Sequence, residues 1–134
     1  MLYLTRRFAF SAAHRLDSPT LSKEENACEY GMCTNIHGHN YRLEVTVRGE
    51  PDPKTGFFCN VLTFAGIVNQ LVVEPCEHRL LNEVPLFAGA HTTMEGLSQR
   101  IWQAIEPALR QSGMELTEVL LGETDEHWVR VRKE

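Results

Sequence analysis

Positions Leu2, Leu4, Arg6, Phe8, Phe10, Ala12 and His14 form an apolar row at period two, interrupted by a single charge. Alternate side chains of an extended strand share a face, so the row predicts a half-buried β-strand that ends on an imidazole. A second row, His37, His39, Tyr41, Leu43, Val45 and Val47, alternates with Asn40, Arg42, Glu44, Thr46 and Arg48. It predicts another strand, one that begins on two imidazoles sharing its apolar face. Antiparallel pairing sets the end of the first strand against the start of the second. The segment 15–36 then spans that end, and His14, His37 and His39 converge at one rim.

Beyond the second strand the period changes to that of a helix. Asn60 is placed to cap a segment whose apolar stripe is Val61, Phe64, Ile67, Val68 and Leu71, weakened by Gly66 and closed by Pro75. A second helix starts at "TTME", where Thr92 and Glu95 match a capping box, and carries the stripe Met94, Leu97, Ile101, Ala104, Ile105 and Ala108. Pro107 is expected to kink it or split off its last turn, and Gly113 to stop it. The tail, 115–132, reads as two strands around "TDE": Val119, Leu121 and Glu123 share a face, followed by Val129 and Val131. Strand, strand, helix, helix, strand, strand is an α+β pattern with mostly antiparallel pairing.

A length of 134 residues, with 43% hydrophobic content and no repeat or low-complexity tract, suits one domain over 1–134. The net charge of −5 argues against a nucleic-acid or anionic-membrane surface, though a local basic pocket for a small anion stays open. No apolar run is long enough for a signal peptide or a membrane span, so a cytoplasmic location is expected. In that setting Cys28, Cys33, Cys59 and Cys76 are expected to be free thiols, ligands or a nucleophile rather than disulfide partners.

Three neutral imidazoles with one open position are the donor set of a catalytic Zn²⁺ site, and His14, His37 and His39 supply that count. The competing metal reading adds Cys28 and Cys33 to make a closed, structural site. Cys33 lies four residues before His37, where a metal or an imidazolium would favour its thiolate as base or nucleophile; the alternative is an inert small hydrophobe. Glu77 and His78 are adjacent titratable groups, either a proton relay or a solvated helix end. Glu123, on an apolar strand face, suits a planar set of N–H donors such as a ring edge, or is an exposed strand end. The capping box accounts for Glu95.

Taken in order, "FSAAHRL", "CTNIHGHNY", "EHRLLNEVP", "TTMEGLSQRIW" and "GETD" resemble the family of 6-pyruvoyltetrahydropterin and 6-carboxytetrahydropterin synthases along nearly the whole chain. The resemblance implies the tunnelling fold, with two helices packed on one face of a four-stranded antiparallel sheet. It implies trimers whose sheets join into a barrel, two of which stack as a hexamer, with active sites at subunit interfaces. By motif position it implies zinc on His14, His37 and His39, a catalytic thiol at Cys33, and proton transfer at His78 beside Glu77. It further implies a grip on a pterin ring by Glu123, with Thr93 and Glu95 nearby.

Two features depart from or divide the pattern. Glu77 stands where the family usually has aspartate. The long segment before Cys33 is that of the pyruvoyl branch, whereas the three residues between Cys33 and His37 give the spacing of the carboxy branch. On that spacing the resemblance implies a zinc-dependent lyase. It would convert 7,8-dihydroneopterin triphosphate to 6-carboxytetrahydropterin, acetaldehyde and triphosphate, on the route to queuosine and other 7-deazapurines. The alternatives are the 6-pyruvoyl synthase reaction, a metal-free aldolase or epimerase acting on dihydroneopterin, and a zinc-stabilised interaction module without catalysis. Arg15, Lys54 and Arg79 are all available to a triphosphate, and none stands out.

Overall fold

The computed structural model describes residues 1–134. β1 (Leu2–His14) and β2 (His37–Gly49) pair antiparallel in one unbroken register, from Leu2 opposite Gly49 to His14 opposite His37. Between them run α1 (Lys23–Tyr30) and a 3₁₀ turn, Gly31–Thr34. After β2 come α2 (Val61–Val68), a π turn over Asn69–Val73, the single turn α3 (Glu74–Cys76) and the long α4 (Met94–Gln111). β3 (Glu115–Gly122) and β4 (Trp128–Arg132) complete an antiparallel sheet in the order β1-β2-β3-β4, with a register shift in β2 between Thr46 and Val47.

The rows read from the sequence are the rows that pack. Phe8, Phe10, Ala12, Tyr41, Leu43, Val45 and Val47 of β1 and β2, with Val119 and Leu121 of β3, are buried against Phe64 and Val68 of α2 and Leu97, Ile101, Ile105 and Leu109 of α4. Each such large side chain contributes about 1.5–3 kcal/mol by leaving water. The result is the α+β arrangement expected of the tunnelling fold, with helices on one face of a four-stranded antiparallel sheet.

Four local expectations change. The segment 15–36 holds a helix that the apolar pattern does not announce, because Asn26 is the only buried residue of α1. Pro75 does not close the first helix. The chain widens into the π turn and continues to Cys76, so the missing proline N–H falls where the helical ladder is already disturbed. Pro107 does not split off the last turn of α4, which runs on to Gln111 and stops, as expected, before Gly113 with φ 81°. The helix cap is Thr93, whose hydroxyl accepts from Gly96 N, rather than Thr92 paired with Glu95. Glu95 therefore sits free and exposed in the first turn, where its charge faces the positive end of the helix.

Candidate active site

The β1–β2 register places His14 directly across from His37, and the pleat puts His39 on the same face. Ring centroids lie 4.5 Å apart for His14 and His37, 5.1 Å for His14 and His39, and 5.0 Å for His37 and His39. One ring nitrogen from each histidine lies within 4.8 Å of the other two, a group able to hold a metal ion.

Backbone carbonyls orient two of the rings. His14 Nδ1 donates to the Thr92 carbonyl at 2.7 Å, and His37 Nδ1 donates to the Asn35 carbonyl at 2.7 Å. A carbonyl only accepts, so each bond fixes the proton on Nδ1 and leaves Nε2 as a bare lone pair, the usual outer support of a metal-binding histidine. Burial pushes the His14 pKa down against the opposing pull of the Thr92 hydrogen bond, and burial also lowers that of His39. Both are held in the neutral form that ligates. His14 Nε2 and His39 Nε2 are buried with no partner in the protein. Such orphaned ring nitrogens cost free energy unless a partner meets them, so these residues fit a divalent metal.

Thr92 thus orients His14 rather than capping the helix. Its carbonyl holds His14, while its hydroxyl donates to the Arg15 carbonyl at 2.8 Å. Asn82 bridges the same loops, accepting from Arg15 N at 2.9 Å and donating to the Arg15 carbonyl at 2.9 Å. Gly96 lets this loop approach α4, since a Cβ there would collide with the His91 carbonyl oxygen. The doubled threonine at 92 and 93 is the sequence signal: one caps the helix and the other serves the imidazole.

Glu123 follows the last residue of β3 and faces the same rim. Its Oε2 lies 3.7 Å from His39 Nε2 and 3.9 Å from His14 Nε2, and 24% of its side chain is exposed. Tyr41, wholly buried, stacks on Phe10 and presents its ring to the edges of His14 and His39. Its hydroxyl also lacks a partner.

Glu77 and His78 are set against the open edge of β1. Ser11 N donates to Glu77 Oε1 at 3.0 Å, and His78 N donates to the Ser11 carbonyl at 2.7 Å, so one residue of β1 grips both. His78 takes a left-handed backbone, φ 57°, which is uncommon for a residue with a Cβ and costs on the order of 1 kcal/mol. Its ring is 81% exposed, with Nε2 3.3 Å from Glu77 Oε1. A groove of about 510 Å³ runs from His78 and Arg79 past Ser11 and Asn40 to His39, joining this pair to the histidine rim.

The remaining expected residues lie farther out. Cys33 is exposed on the 3₁₀ turn, which is tied to the chain just after β1 by Leu16 N donating to the Cys33 carbonyl at 2.8 Å. It is outside the compact group of imidazoles, as is Cys28, so the closed cysteine-containing site does not form within one chain. Thr93 is occupied as a helix cap, and Glu95 is exposed beside it.

Fold and site together define a tunnelling-fold protein with three histidines able to hold a metal ion at the rim of its sheet. Residues 3–134 match the family model described as 6-pyruvoyl tetrahydropterin synthase, and the chain belongs to that family. A 6-pyruvoyl tetrahydrobiopterin synthase of Dictyostelium discoideum is 42% identical over 132 residues, covering 98% of this chain and 96% of that protein. A putative 6-carboxy-5,6,7,8-tetrahydropterin synthase of Archaeoglobus fulgidus is 27% identical over 128 residues, covering 93% and 90%. Among solved structures, 6-pyruvoyl tetrahydropterin synthase of Caenorhabditis elegans superimposes with a TM-score of 0.84 at 30% identity, covering 99% of this chain and 96% of that one.

Proposed function

We propose that the chain is a zinc-dependent lyase that eliminates triphosphate from 7,8-dihydroneopterin triphosphate and rearranges the side chain to give 6-pyruvoyltetrahydropterin. The observation that carries this is the three-imidazole group, with the Nε2 atoms of His14 and His39 buried without a partner, in a chain that shares 42% identity over 98% of its length with a 6-pyruvoyl tetrahydrobiopterin synthase. His14, His37 and His39 hold the zinc, which when bound supplies a Lewis acid that makes substrate hydroxyls and the adjacent carbon more acidic.

The chain's own groups move the protons. Cys33 takes one from the side-chain carbon, and His78, oriented by Glu77 and the Ser11 peptide, returns one; each such group is worth roughly a hundredfold or more in rate. Glutamate in place of aspartate at position 77 keeps the carboxylate near the imidazole, as the 3.3 Å separation indicates. Glu123, Thr93 and Glu95 are assigned to the pterin ring. The exposure of Cys33, Met32 and Ile36 suits a site that a neighbouring copy completes, and the open edges of β1 and β4 suit sheet-to-sheet pairing. A hexamer built as a dimer of trimers, each chain a single domain, follows from that reading. The cytoplasm suits four unpaired thiols.

A second reading, release of acetaldehyde with formation of 6-carboxytetrahydropterin, is favoured by one feature, the three residues between Cys33 and His37. Identity across the whole chain weighs more than that spacing, because it samples every wall of the site rather than one loop. Incubating the zinc-loaded protein with 7,8-dihydroneopterin triphosphate separates the two. Triphosphate and 6-pyruvoyltetrahydropterin without acetaldehyde are expected. Acetaldehyde with the carboxylated pterin transfers the assignment to the second reading, and no turnover leaves a zinc-stabilised interaction module.

A further inference from the structure

The edge of β1 that faces away from β2 is not bare along its last residues. Peptide groups turn outward there at every second residue, and the segment 77–82 meets them in order. Ser11 is held by Glu77 and His78, Ala13 N donates to the Arg79 carbonyl at 2.9 Å, and Ala13 pairs with Leu80 in an isolated parallel bridge. At the next such position, Arg15, a side chain takes over from the backbone. Asn82 Oδ1 accepts from Arg15 N at 2.9 Å and Asn82 Nδ2 donates to the Arg15 carbonyl at 2.9 Å, the same double exchange by which a paired strand residue grips its partner. Asn82 Nδ2 also donates to the Thr92 hydroxyl at 3.3 Å, and that hydroxyl donates to the Arg15 carbonyl at 2.8 Å. Asn82, Arg15 and Thr92 thus close a ring of hydrogen bonds.

The ring stands between two parts of the site. On one side are His14, the residue before Arg15, and the Thr92 carbonyl that accepts from His14 Nδ1 at 2.7 Å. On the other, Leu16 N donates to the Cys33 carbonyl at 2.8 Å and ties down the turn that carries the thiol. Asn82 itself is exposed. Water competes for an exposed amide, so these bonds add little net stability, and what they fix is geometry. We infer that Asn82 is a positioning residue of the site: it sets the Arg15 peptide so that His14 and the Cys33 turn keep their places on either side of it. Its amide is committed to Arg15 and Thr92, and it acts through them. The inference rests on the metal and reaction readings above.

The test compares the full-length wild type with Asn82→Asp and Asn82→Ala. Zinc affinity is read by chelator competition, kcat and KM with 7,8-dihydroneopterin triphosphate, and stability by thermal unfolding without metal. Aspartate keeps an acceptor for Arg15 N but has no N–H for the Arg15 carbonyl or the Thr92 hydroxyl; alanine lacks both functions. Both variants are expected to bind zinc about tenfold or more weakly, the effect of loosening the outer support of a metal ligand. A fall in kcat of about tenfold or more, with KM within about threefold, is expected because reacting groups are displaced rather than removed. The metal-free melting temperature should stay within about 3 °C of wild type. Asn82→Asp carries the test if the alanine variant does not fold. Zinc affinity and kcat as in wild type overturn the inference, and so does a lowered melting temperature with unchanged zinc affinity in the folded protein. A wild-type chain that takes up zinc but turns over no pterin overturns the proposed reaction alone, and zinc affinity then decides the role of Asn82.

Discussion

The rim of β1 and β2 and the segment 15–36 that arches over it follow opposite building rules. At the rim, strand register brings the three rings together, and the Thr92 and Asn35 carbonyls orient those of His14 and His37. The arch is held by polar bonds instead: Asn26 accepts from Ser18 N at 2.8 Å and donates to the carbonyls of Ser18, Leu21 and Ser22. It carries Cys33 on an exposed turn. The imidazole group and the thiol are therefore separate features: the first lies within one chain, and the second is exposed.

That separation can be broken most sharply at the rim. His39→Ala should lower zinc affinity by more than about a hundredfold, measured by chelator competition, because it removes a donor whose position is fixed by the sheet. Zinc affinity unaffected by that change would mean that the rim is not the seat. Cys33→Ala should leave zinc content as in wild type and cut turnover of the pterin triphosphate by about a hundredfold or more. Joint loss of metal and activity would show that the two regions are coupled.

Smaller effects sharpen the same contrast. The Tyr41 hydroxyl is buried without a partner, so Tyr41→Phe should stabilise the metal-free chain by about 1 kcal/mol in thermal or denaturant unfolding. A loss of stability would show that the hydroxyl does find a partner in solution. Farthest from the rim, Arg48 and then Lys133 hold the Glu115 carboxyl down from 4.5 to about 2. A carboxylate with a depressed pKa stabilises the fold above its unfolded value and loses that contribution as pH falls. The Arg48 pair should thus fade between pH 4.5 and about 2, and Glu115→Gln should flatten the acid limb of stability over that interval while leaving zinc binding untouched.

What could be read in advance follows the same divide. Period-two rows gave both long strands, and their antiparallel pairing predicted the meeting of His14 with His37, because side-chain alternation is a direct imprint of burial. α1 escaped since nothing apolar on it is buried; its only written sign is the capping box of Ser22 and Glu25. The match at Thr92 and Glu95 failed by one position for a reason that no local pattern holds: the Thr92 carbonyl is required by a ring 78 residues away. Glu123 was legible as a strand-end acid on an apolar face. That it would face a bare His14 nitrogen was not, since this depends on the tautomer that Thr92 imposes.

The most direct test of the preformed seat is anomalous diffraction at the zinc edge from crystals of the protein purified without chelator. A single peak per chain, about 2.0–2.1 Å from a ring nitrogen of each of His14, His37 and His39, is the predicted result. Zinc bound elsewhere, or three rings splayed apart with no density between them in zinc-supplemented crystals, would contradict it.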